Sequence, residues 1–155
     1  YRVSRSIMIK IICVGKIKEQ FFKDAISEYK KRLSKYTKLE IIELSDESVG
    51  NILEKEASSI LKHLNEKDYI ITLEIEGNML TSTELSEKIN SILINNSNIT
   101  FIIGGSYGLS DAIKKRSNYK LSFSKMTFPH QLFRIILLEQ IYRSFKILNH
   151  ESYHK

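Results

Sequence analysis

Hydrophobic and polar positions along this chain switch repeatedly between a period of two and a period near 3.6, and the switching lays out its elements. Met8–Val14 (MIKIICV) is apolar and β-branched almost throughout, the pattern of a strand covered on both faces. Gly15 ends it. Over residues 19–36, Phe22, Ala25, Ile26, Tyr29 and Leu33 recur at helical spacing with lysines and acids between them. Residues 39–44 (LEIIEL) read as a second strand, and the run through Leu53, Ala57, Ile60, Leu61 and Leu64 as a second helix. Residues 68–75 (DYIITLEI) read as a third strand, closed by a turn at Glu76, Gly77 and Asn78. Thr81 then offers an N-cap that Glu84 completes as a capping box, opening a helix with Leu85, Ile89, Ile92 and Leu93 on its buried stripe. Residues 99–103 (ITFII) form a fourth strand that runs straight into Gly104, Gly105, Ser106, Tyr107 and Gly108. Ser110 caps a short helix carrying Lys114, Lys115 and Arg116.

Strands alternating with helices, most of them apolar on both faces, predict an α/β three-layer sandwich on a mostly parallel sheet. Residues 119–130 (YKLSFSKMTFPH) start as an alternating strand, pass into a polar loop and close at Pro129, where a final helix to Leu148 begins. Leu132, Phe133, Ile135, Ile136, Leu137, Leu138, Ile141, Tyr142 and Phe145 give that helix more apolar surface than one sheet face needs. A second copy of the chain is the simplest partner for the excess; burial within its own fold is the alternative. Residues 8–155 read as one domain, and residues 1–7 as an upstream tail outside it.

The 155 residues suffice for one self-sufficient core. A net charge of +6 with aromatics among the cations points to an anionic partner, nucleic acid first. The lone Cys13 excludes internal disulfides and fits a reducing cytoplasm, and no apolar run has the length of a membrane span. We therefore expect a cytoplasmic protein with no membrane partner.

Three strand ends fall at one edge of the expected sheet: residues 73–76, 104–108 and 123–128. The loop GGSYG is neither a phosphate-binding Walker loop nor a dinucleotide fingerprint. His63, His130, His150 and His154 lack ligand spacing, so no metal is expected. There is no nucleophile elbow.

The strand-four loop IIGGSYGLS, the loop LSFSKMTFPHQL and the terminal YHK occur together in this order. The combination resembles the ribosomal RNA large subunit methyltransferase H family, within the SPOUT class. The resemblance implies a carboxyl-terminal trefoil knot, a homodimer, S-adenosylmethionine as methyl donor, and methylation at N3 of a pseudouridine in 23S ribosomal RNA of the large subunit or assembled ribosome. By the same resemblance the cofactor contacts fall on Leu73, Gly104 and the run Phe123, Ser124, Lys125, Met126, Thr127 and Phe128.

An imide N3 becomes a nucleophile only after losing its proton, so catalysis needs a proton acceptor or a cation facing the adjoining carbonyl oxygens. Candidates are His130, Arg134, Glu139 and Arg143 on the last helix and Tyr153, His154 and Lys155 on the tail, with His130, Arg143, Tyr153 and His154 the leading ones. Glu139 and Arg143 at i, i+4 also fit a simple ion pair, and His130 a helix cap. Lys114, Lys115, Arg116, Arg134 and Lys155 are the expected RNA contacts. A different class of function, a non-catalytic ribosome- or RNA-binding protein on the same fold, is distinguished by failure to bind S-adenosylmethionine.

Overall fold

The computed structural model describes residues 6–155. Five strands and five helices alternate: β1 (Met8–Val14), α1 (Gln20–Leu33), β2 (Lys38–Leu44), α2 (Ile52–Leu61), β3 (Tyr69–Met79), α3 (Ser82–Asn95), β4 (Asn98–Ile103), α4 (Asp111–Arg116), β5 (Tyr119–Ser122) and α5 (His130–Leu148). The strands form one sheet in the order β2-β1-β4-β3-β5, with every pairing parallel. The alternation inside β1 explains the layers. Ile9, Ile11 and Cys13 join Ile71, Phe101 and Leu121 in a core with α1, α3 and α5, while Ile12 and Val14 join Ile70 and Ile102 in a second core with α2 and α4. The three-layer α/β reading therefore holds.

Ile7 moves the expected boundary. It is buried in the larger core, and its carbonyl accepts from Thr37 Oγ1 and from the Lys38 amide, so the packed domain takes in this residue too. Of the rest of the expected upstream tail, Ser6 is exposed, and residues 1–5 lie outside the described residues. The capping box is present, with Glu84 N donating to Thr81 Oγ1 at 3.1 Å and Thr81 N donating to Glu84 Oε1 at 2.8 Å.

β3 departs from its expected end. Instead of turning at residues 76–78 it stays beside β5: its pairing jumps from Leu73 to Asn78, both opposite Leu121, so residues 74–77 leave the ladder as a wide bulge. Gly77 makes this possible, because a Cβ there would lie 2.8 Å from the Lys120 carbonyl carbon. The bulge stands at the carboxyl edge of the sheet, where it becomes a wall of the site described next.

α5 packs against α1 on one side and α3 on the other, which uses most of its apolar breadth inside its own chain. Leu132 remains 38% exposed and Ile135 and Ile136 half-buried.

Candidate active site

Because all five strands are parallel, the loops after β3, β4 and β5 emerge at the same edge and enclose a cleft of about 570 Å³. Leu73, Gly104, Phe123, Ser124, Met126, Thr127 and Phe128 all border it. Lys125 is exposed and is not among the bordering residues. Met126 sits at the rim, 75% exposed. Phe128 stacks on Phe133 of α5 at 6.1 Å, and Phe123 meets the same ring edge-on at 5.1 Å, so the greasy floor is one aromatic cluster.

The glycine loop has a specific steric requirement. A Cβ on Gly104 would lie 2.5 Å from the Gly108 carbonyl oxygen, because the loop closes on itself through a bridge between Gly105 and Gly108. Gly104 therefore shapes the cleft by letting backbone pass backbone.

His130, the first residue of α5, also borders the cleft. No side chain caps that helix end, so the capping alternative for His130 is not realised. Lys114 of α4 lines the cleft, whereas Lys115 and Arg116 are exposed on the same short helix.

Arg134 overturns an expectation. It is 2% exposed, with Nη1 donating to Glu43 Oε2 at 2.8 Å and Nη2 to the carbonyls of Val14 at 3.1 Å and Gly15 at 2.6 Å. Its guanidinium ties the ends of β1 and β2 to α5 and is not available to a phosphate. A signal for this lay in the sequence: Arg134 shares the i+3, i+4, i+7 stripe of Leu137, Leu138 and Ile141, all core residues.

The tail is docked on the body of the domain. His150 takes φ of +55°, which turns the chain back along α5. Glu151 then accepts from Tyr36 OH at 2.5 Å and pairs with Lys35 and Lys146. The Tyr36 hydroxyl, then Lys35, holds the Glu151 carboxyl down to about 2. Tyr153 packs edge-on against Tyr142 and donates to Glu139 Oε1, which Tyr29 also meets, while Glu139 Oε2 binds Arg143 Nε at 3.0 Å. That hydrogen bond to Glu139, with burial, pushes the Tyr153 phenol up; burial, then Glu139, pushes Tyr29 up to about 12. Both phenols are neutral donors at ordinary pH. His154 Nδ1 lies 3.1 Å from Arg143 Nη1, and Lys155 is exposed at the end.

Thus Arg143, Tyr153 and His154 form one cluster and His130 belongs to another. Arg143 stands thirteen helical steps beyond His130, about 20 Å along the helix at 1.5 Å per residue, so one chain does not unite them. The expected strand end at residues 73–76 does reach the site, where the bulge carries Glu74, Ile75 and Glu76 onto the cleft wall, and Phe133, expected only as part of the last helix's apolar surface, borders the cleft as well. Among the described residues no group of three or more His, Cys, Asp or Glu is placed to hold a metal, and no helix is long and apolar enough to cross a membrane.

A family model described as "Predicted SPOUT methyltransferase" matches residues 7–154. The Clostridium botulinum protein named ribosomal RNA large subunit methyltransferase H is 56% identical, over 95% of this chain and 99% of its own length. The chain belongs to this family of SPOUT methyltransferases. A Caldicellulosiruptor saccharolyticus protein of the same name is 53% identical, over 96% of this chain and all of its own length. Among solved structures, the tRNA (m1G37) methyltransferase of Aquifex aeolicus shares the fold at a TM-score of 0.54 and 14% identity, covering 90% of this chain and 70% of that one. The cleft offers about 570 Å³ with an apolar, aromatic floor, room for a drug-sized ligand.

Proposed function

We propose that the chain is an S-adenosylmethionine-dependent methyltransferase that methylates N3 of a pseudouridine in 23S ribosomal RNA, as a cytoplasmic homodimer with a knotted carboxyl-terminal part. The observation that carries this reading is the cleft: three strand ends bring Leu73, Gly104 and the 123–128 loop to one place, with an aromatic floor and no paired ions. The relatives' name supports the choice of large-subunit ribosomal RNA.

Leu73, Phe123 and Phe128 would hold the adenine and methionine chain by apolar contact, and the loop amides and carbonyls would orient them. When bound, the cofactor supplies an electrophilic methyl group. His130 at the cleft takes up the imide proton. Arg143 and Lys155 face the carbonyl oxygens and phosphates, and Tyr153 and His154 position the base. Since Arg143, Tyr153, His154 and Lys155 border no part of their own chain's cleft, a second protomer would deliver them. Lys114, Lys115 and Arg116 add phosphate contacts.

The test is mass spectrometry of ribosomal RNA from cells lacking the protein. A methylated pseudouridine should disappear and return with the wild-type gene. An unchanged nucleoside profile refutes the activity, and absence of calorimetric heat with millimolar S-adenosylmethionine would favour a non-catalytic RNA binder.

A further inference from the structure

The cleft carries a charge opposite to that of the chain. The protein has a net charge of +6, yet the charged groups bordering the cleft are the two carboxylates of Glu74 and Glu76 against the single ammonium of Lys114. Neither acid is in an ion pair among the described residues. Glu74 is half-buried and fixed: fully buried Thr72 donates its hydroxyl to Glu74 Oε2 at 2.6 Å, and Thr72 in turn meets Ser117 Oγ at 2.7 Å. Glu76 is exposed on the outer part of the same bulge.

We propose that Glu74, aided by Glu76 at the rim, makes the cleft select the charged methyl donor over its spent form; the inference rests on the S-adenosylmethionine reading of the cleft. The donor bears a sulfonium, an ammonium and a carboxylate. When the carbon–sulfur bond breaks and the carbon–nitrogen bond to N3 forms, the bonding pair stays on sulfur and the sulfonium becomes a neutral thioether. The N3 proton has by then left to the base, so charge and atoms balance. A net negative wall thus holds the donor more tightly than the product, and exchange after each turnover is favoured. One carboxylate facing the sulfonium across a partly wet cleft corresponds to a preference on the order of fivefold, since a unit-charge interaction of about 1 kcal/mol is a severalfold change in affinity.

The experiment measures dissociation constants of the full-length protein by calorimetry for three probes. These are S-adenosylmethionine, neutral-sulfur S-adenosylhomocysteine, and sinefungin, which places an amine cation where the sulfonium stands. Glu74→Gln keeps the shape and an acceptor for Thr72. It should weaken S-adenosylmethionine and sinefungin about fivefold and S-adenosylhomocysteine less than twofold. Glu76→Gln should do the same more weakly. Lys114→Met should shift the preference the other way, which a general loosening of the fold would not do. Equal losses for all three probes, or an unchanged preference in both glutamine variants, overturns the proposal. Should none of the three bind the wild-type protein at millimolar concentration, the cofactor reading of the cleft fails, and this proposal with it.

Discussion

Replacing Arg134 with Met keeps most of the side chain's bulk and removes a guanidinium that bridges three elements. Two buried carbonyls, those of Val14 and Gly15, lose their donors at 3.1 and 2.6 Å. Each orphaned acceptor costs about 1–3 kcal/mol. Glu43, with a side chain 35% exposed and Oε2 still accepting from the Ile17 amide at 2.9 Å, stays solvated, so losing its ion pair adds little. Relief of the buried charge's desolvation offsets part of the loss. The balance is a destabilisation of about 2–4 kcal/mol, which for a domain of this size lowers the melting temperature by roughly 5–15 °C. Circular-dichroism melts of the wild type and Arg134→Met read this directly. The salt dependence of RNA binding completes the assay, because loss of a phosphate contact lowers the log–log slope by about one. A melting temperature within about 2 °C of wild type, together with a reduced slope, would refute the clamp and return Arg134 to the RNA surface.

Gly104→Ala places a Cβ 2.5 Å from the Gly108 carbonyl oxygen, so cofactor affinity should fall at least ~tenfold while the fold survives; unchanged affinity in calorimetry would separate the glycine loop from the site. Deleting residues 153–155 should abolish methylation of intact ribosomes yet leave cofactor affinity within about twofold, since the tail borders no part of its own chain's cleft; near wild-type turnover would dismiss the tail from the chemistry. Glu151, held down to about 2 from an ordinary 4.5, contributes anchoring that is complete above its unfolded value and is lost as pH falls from 4.5 through about 2. Urea midpoints measured from pH 6 to pH 2 should therefore drop more in the wild type than in Glu151→Gln, and parallel curves would contradict the linkage.

What could be read from the sequence followed from local rules acting alone. Periodicity placed β1 and α5 at their observed bounds, and the Thr81–Glu84 spacing found a cap whose two hydrogen bonds are both made. The failures came where distant backbone decides. Glu76, Gly77 and Asn78 have turn composition, but the chain stays beside β5 because Gly77 lets the Lys120 backbone approach, and nothing near residue 77 announces β5. The sequence placed residues 73–76 at the edge of the sheet but gave no sign of a bulge, and it is the bulge that sets Glu74 and Glu76 against the cleft, where they contribute to its charge. Arg134 failed differently. Counting cations treats every arginine as surface, whereas its place on the stripe of Leu137, Leu138 and Ile141 requires a buried guanidinium with acceptors nearby, and the carboxyl end of β1 supplies them. Charge in this protein is therefore informative only after its helix face or strand end is known: the same cation count mixes a structural clamp, Arg134, with a cleft residue, Lys114, and with solvent-facing Lys115 and Arg116.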